Sequence, residues 1–128
     1  MNGVLPDVDI RALIETGVIR ADLPVTAEQI QPASLDLRLG HTAYRLRASF
    51  LAGRGKRITD RLPDMQMHQM DLSAGAVLER GCVYLIPLME AVTLPPGIAA
   101  VANAKSSTGR LDLLTRLVTD DGTEFDRL

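Results

Sequence analysis

Three apolar positions, Ile10, Leu13 and Ile14, recur at i, i+3 and i+4 within DVDIRALIETG (7–17) and line one side of a helix. Asp7 or Asp9 offers an acceptor to the free amides of its first turn. Gly17 ends it, because glycine enters the left-handed backbone of a helix end without steric cost. The period then switches to two. In SLDLRLG (34–40), Leu35, Leu37 and Leu39 alternate with Asp36 and Arg38, which predicts a half-buried strand with the leucines on one face and Gly40 at its end. TAYRLRASF (42–50) continues in the manner of a strand. AGRGKRITDR (52–61) is basic and glycine-broken, and reads as a solvated surface loop. Later apolar runs predict strands near 76–79, 82–90 and 98–103, and one more buried strand over 113–119, punctuated by Gly81 and Pro95-Pro96-Gly97. One early helix followed by roughly six short strands predicts a mostly β protein, barrel-like or sandwich, and not a βαβ fold.

Length makes this a single domain, 1–128, able to bury roughly two-thirds of its unfolded surface. A net charge of -2 argues against a broad basic face for nucleic-acid polymers, so any anion recognition must be local. Aromatics are confined to Tyr44, Phe50, Tyr84 and Phe125, too few for a surface that stacks single-stranded bases. The lone Cys82 permits no internal disulfide and suits a reducing compartment. The opening MNGVLPDVDI carries acids where a secretory leader carries bases, and no apolar run approaches the ~18 residues of a membrane span. The expectation is a soluble, cytoplasmic protein with no membrane partner.

Candidate chemistry is sparse. His41, His68 and Cys82 fall in no recognised metal-ligand spacing, so no zinc site is expected, and Cys82 reads as a buried structural thiol. Met65, Met67 and Met70 read as packing. GRGK (53–56) lacks the full phosphate-loop spacing, and the serines lack a neighbouring histidine or a nucleophile elbow. The exception is AKSSTGR. It follows an expected strand and opens a segment able to make one helical turn. Ser106, Ser107 and Thr108 add hydroxyl donors, Gly109 lets a ligand approach the backbone, Lys105 adds a point charge and Arg110 a planar fork suited to phosphate. Spacing alone leaves a phosphate site and a serine-capped turn equally open.

PASLDLRLG, followed some way on by NAKSSTGRLDLLTR, resembles the dCTP deaminase family, relatives of dUTPase. The first matches that family's A-S-x-D-L-R-L-G strand and the second its [KR]-S-S-x-[AG]-R-L segment. VDIRALIETGVI resembles the family's opening helix, and Phe125-Asp126 the start of its next motif. The likeness is to the N-terminal part of the long bacterial form, in which two such domains follow one another. It implies a dUTPase-like barrel (β-clip) with a short N-terminal helix and a short helix after the KSSTGR motif, assembled as a trimer with active sites between subunits. It further implies deamination of dCTP to dUTP and ammonia, with Mg2+ carried on the substrate triphosphate and no zinc. By position, Lys105, Ser107 and Arg110 would line the triphosphate and sugar. Ser106 and Arg110 would flank the base and the attacking water as the catalytic pair. The backbone around Thr119 would help hold that water, and Asp126 would lie near sugar and base.

The water must lose a proton and the leaving amine must gain one, work for a carboxylate of raised pKa. The resemblance places that carboxylate on a glutamate in the strand after Phe125-Asp126. The chain ends at Leu128, ahead of it, so the expectation is a domain truncated before its last strands and silent as a deaminase alone. Glu124 precedes Asp126 and is not a candidate. A non-catalytic nucleotide-binding or oligomerisation domain of the same fold stays open. So does a dUTPase, although Ser107 and Arg110 favour the deaminase.

Overall fold

A computed structural model describes residues 3–128, the side chain of Ser106 lying outside the description. The elements run α1 (Asp7–Glu15), β1 (Ile19–Ala21), a 3-10 turn (Ala27–Gln29), β2 (Thr42–Leu46), α2 (Ile58–Met65), β3 (Gln66–Asp71), β4 (Val83–Leu85), β5 (Glu90–Val92) and α3 (Ser106–Arg110). Short strands and small helices therefore make up the regular structure. The chain forms two compact units. One holds the residues up to Ala43 with Met70–Val77 and Leu85–Pro95, the other Tyr44–Gln69, Leu78–Tyr84 and Pro96–Leu128. Among the described residues no helix is long and apolar enough to cross a membrane.

In the first unit α1 buries Ile10, with Leu13 and Ile14 half-buried beside it. The expected capping is corrected. Pro6 holds the N-cap position without a side-chain bond, and Asp7 and Asp9 sit inside the first turn, where they favour the positive end of the helix. Gly17, at φ 83°, turns the chain into β1 as expected. β1 pairs antiparallel with β5, Ile19 opposite Val92 and Ala21 opposite Glu90.

The alternation over 34–40 is real, but its faces are reversed. Leu37 and Leu39 are exposed, whereas Arg38 is half-buried against a buried Glu90. Glu90 Oε1 accepts the Arg38 amide at 2.6 Å, and its Oε2 accepts Arg38 Nε and Nη2 at 2.9 Å each. Arg38 Nη2 also donates to the Leu23 carbonyl at 2.6 Å. A buried carboxylate needs donors on both oxygens, and Glu90 draws the arginine inward in place of Leu37 and Leu39. Only single bridges, Ile30 to Leu35 and Leu39 to Leu88, mark the segment as extended. Gly40 lies against Pro87, whose carbonyl a Cβ would meet at 2.9 Å.

Most residues of the sheet of order β3-β2-β4 belong to the second unit, which buries Leu46, Phe50 and Ala52. The stretch expected as a loop becomes α2 from Ile58 onward, because Ile58, Leu62 and Met65 share a face and Asp60 accepts the Arg57 amide at 2.8 Å. Two other expectations fail with it: Met67 is exposed, and Cys82 is only half-buried. The run at 82–90 breaks at Pro87, which brings no N–H to a ladder. Among the described residues, 76–79 and 113–119 form no strand, and 98–103 gives only the bridge of Val101 to Arg127. Val77 is 83% and Leu114 89% exposed, so neither segment is the buried strand its apolar residues suggest.

Candidate functional site

The chain enters the KSSTGR segment extended, with Lys105 at φ -67° and ψ 146°, and makes a single helical turn, Ser106–Arg110. The turn closes on itself. The Thr108 and Gly109 amides donate to the Lys105 carbonyl at 3.0 and 3.3 Å. At its end the Asp112 amide donates to Gly109 O at 3.0 Å and the Leu113 amide to Thr108 O at 3.4 Å, with Asp112 left-handed at φ 61°. This is the helix ending that usually employs glycine, built here on aspartate. Lys105, Ser107, Gly109 and Arg110 are exposed and Thr108 is half-buried. A Cβ on Gly109 would meet nothing within 4 Å, so the backbone there stands open to a ligand. The expected role of the Ser106 side chain lies outside the described residues.

Asp126 ties the stem of this turn to the segment beyond it. Its carbonyl accepts the Ala102 amide at 2.9 Å, while its own amide donates to Leu117 O at 2.9 Å. Its carboxylate accepts the Leu117 amide through Oδ1 and Arg116 Nε through Oδ2, both at 2.7 Å. The Arg116 guanidinium also lies over the Phe125 ring, 5.0 Å from its centroid. The Leu117 amide above all holds the Asp126 carboxyl below the usual carboxylate range. Slight burial opposes this, and Arg116 assists it. These bonds also fix the left-handed backbone of Asp126, φ 66°, which an L-residue adopts at some cost. Past it, Leu128 and Ala100 exchange amide bonds at 3.0 and 3.2 Å.

Thr119 opens the turn TDDG, 119–122. The turn borders a cavity of about 270 Å³ walled by residues 119–124, Arg127 and Leu128. The cavity takes in Thr119 but not residues 105–110. Of the expected site residues, the structure thus links Asp126 to the stem of the motif and sets Thr119 two residues beyond the amide that Asp126 grips. The side chains of Lys105, Ser107 and Arg110 stand on the exposed turn. Arg116, Asp120, Asp121 and Gly122 escaped the sequence reading, and Phe125 entered it only as the start of a motif. The Asp-Gly pair at 121–122 is a turn signal that could have found Asp120, Asp121 and Gly122. Nothing local announces that Arg116 meets Asp126. Among the described residues no group of three or more His, Cys, Asp or Glu side chains is placed to hold a metal.

Comparison with known proteins places the chain. The family model described as 2'-deoxycytidine 5'-triphosphate deaminase (DCD) N-terminal domain matches residues 1–128. A crystal structure of 2'-deoxycytidine 5'-triphosphate deaminase from Agrobacterium tumefaciens superposes with a TM-score of 0.94 at 53% identity, covering 98% of this chain and 36% of that one. A curated relative from Parafrankia sp., "dCTP deaminase, dUMP-forming", is 38% identical over 115 residues, 88% of this chain and 55% of its own. The protein of the same name from Thermobifida fusca is 33% identical over 112 residues, 88% of this chain and 56% of its own. The chain spans about half the length of these curated relatives. With its full length matched and its backbone shared at this identity, the chain belongs to the family of the dCTP deaminase N-terminal domain.

Proposed function

We propose that the chain is the nucleotide-binding domain of a dCTP deaminase, which converts dCTP and water to dUTP and ammonia. The observation that carries this is the tie that Asp126 makes between Ala102 and residues 116–117, at the entry to an exposed turn rich in cations and hydroxyls. The fold is read as a single dUTPase-like barrel (β-clip) domain over 1–128. Lys105, Ser107 and Arg110 bind triphosphate and sugar, while Thr108 and the open backbone of Gly109 complete the cradle. The donors there are cationic and hydroxylic, chemistry that suits phosphate oxygens rather than a bare cation, so Mg2+ enters on the triphosphate as part of the substrate.

Ser106 and Arg110 orient the water toward the ring carbon that bears the amine, and the Thr119 backbone holds that water from the other side. Asp126 has both carboxylate oxygens engaged, so it acts chiefly by fixing the 116–119 segment beside sugar and base. The proton transfers fall to a glutamate on the strand that follows Phe125-Asp126 in the family.

Assembly belongs to the same reading. Val101, Leu111, Leu113, Leu114 and Leu128 are exposed apolar groups around the motif, and a trimer of cytoplasmic subunits would cover them. Calorimetry of the whole protein with Mg-dCTP, Mg-dUTP and Mg-ATP tests the substrate. Equal heat from ATP and dCTP, or none, would sink the assignment. Chromatography of the products then separates dUTP from dUMP, the product in the curated relatives' names.

A further inference from the structure

Gly122 lies so close to Thr119 that a Cβ on it would sit 2.6 Å from Thr119 Oγ1 and 2.8 Å from the Thr119 carbonyl oxygen. The first neighbour is a side chain and can rotate away. The second is main chain and cannot, so any larger residue must displace the Thr119 carbonyl. The Gly122 amide donates to that same carbonyl at 3.2 Å, and the Gly122 carbonyl accepts the Gly53 amide at 2.9 Å.

The rest of the turn is fastened to the same loop. The Asp121 amide donates to Lys56 O at 2.7 Å, and its carboxylate accepts the Gly55 amide. Asp120 Oδ1 accepts the Ile58 amide at 2.7 Å, capping the start of α2. Asp121 adopts φ 61°, a conformation glycine would take with less strain, and its carboxylate bond to Gly55 accounts for an acid there.

We infer that Gly122, Asp121 and Asp120 are positioning residues for Thr119, and that loop 53–58 thereby belongs to the frame of the nucleotide site. The inference rests on the reading of Thr119 as a holder of the attacking water. It deepens that reading by naming what places the holder. A carbonyl moved by about 1 Å misaligns the water, a displacement that can cost on the order of 10² in rate. The 105–110 turn that grips the phosphates has no part in the clasp, so turnover should fall while affinity persists.

The test uses the whole protein that carries this chain. Gly122→Ala should lower kcat for dCTP by about tenfold or more and leave KM within about twofold. Asp121→Ala should also lower kcat, and Asp121→Asn, which keeps an acceptor oxygen, should recover most of the loss. These two carry the test if Gly122→Ala fails to fold. Independently of activity, hydrogen exchange at the Gly55 amide should quicken in Asp121→Ala, and that at Ile58 in Asp120→Ala. An unchanged kcat in Gly122→Ala, a loss expressed only in KM, or an Asp121→Asn as damaged as Asp121→Ala would overturn the positioning role. Unchanged exchange would overturn the clasp itself. A parent protein that ignores dCTP while the exchange responds would remove the nucleotide reading and leave the clasp standing.

Discussion

The two units handle charge in opposite ways. In the first, Glu90 has no exposed side-chain surface and Gln29 is buried with it. Gln29 Oε1 accepts the Thr26 amide at 3.0 Å, and its Nε2 donates to Asp36 O at 2.9 Å. In the second, Asp120, Asp121 and Asp126 stay near the surface and spend their oxygens on backbone amides. Its segment from Pro96 to Leu128 buries no residue among those described, and it leaves leucines uncovered. The first unit is held by a buried polar network and a few apolar anchors. The second fixes the geometry of its turns with carboxylates and gives up apolar burial around the motif.

The contrast breaks most directly at Glu90. Glu90→Ala should cost about 3 kcal/mol, at the lower end for a broken buried pair because Arg38 is 26% exposed and keeps its bond to Leu23 O. Urea unfolding of wild type and variant measures it, and a loss under 1 kcal/mol would mean the pair is not what holds the unit. In the second unit the large effect should appear in turnover instead. Arg110→Lys keeps the charge but loses the fork, so deamination by the whole protein should fall about tenfold, more than for Lys105→Arg, with melting temperature unchanged. Parallel losses of activity and melting temperature would erase the distinction.

Acid sharpens the comparison further. Asp126 has a lowered pKa in the folded chain, so its contribution is complete above the unfolded value of ~3.9 and is lost as pH falls through the lower folded one. Near neutrality nothing should change. As pH falls through the lowered folded value, the protection of the Leu117 amide relative to its intrinsic exchange rate should drop, and Asp126→Asn should remove that dependence. Amide exchange followed by NMR between pH 3 and 6 reads both. The smallest effect is a gain: Asp112→Gly relieves a left-handed residue at an exposed helix end and should stabilise by about 0.5 kcal/mol in thermal unfolding.

Legibility followed the range of the interaction. α1 could be read because its stripe and its terminal glycine lie within eleven neighbouring residues. The motif itself carried the family, but the short helix expected after KSSTGR lies on the motif, Ser106–Arg110, because the turn closes on the Lys105 carbonyl. The faces of 34–40 came out reversed because Arg38 answers to Glu90, whose position along the chain no period reveals. α2 was hidden by its charges and by Pro63, although Ile58, Leu62 and Met65 kept the helical spacing in view. The extended runs at 76–79 and 113–119 have strand composition without a ladder, since composition names no pairing partner. At the site, Asp126 was found through resemblance, but the Arg116 bond to its carboxylate left no local trace, and the turn signal at 121–122 does not say that Asp120 and Asp121 bond to the backbone of Ile58 and Gly55.

The antiparallel pairing of Ala100–Ala102 with Asp126–Leu128 closes residues 103–125 into a tethered loop that carries the motif just past its stem. Chain entropy is a weak guardian of such a loop, since doubling its length would cost only about 0.6 kcal/mol. An added residue near Thr123 would therefore pass almost unnoticed by the equilibrium between folded and unfolded chains. The same residue would alter the span between Asp121, fastened to Gly55, and Asp126, fastened to Leu117. Loop length there is set by the distance between two anchors and not by the stability of the fold. Evolutionary drift in that length should register first as slower chemistry, in proteins that still fold normally.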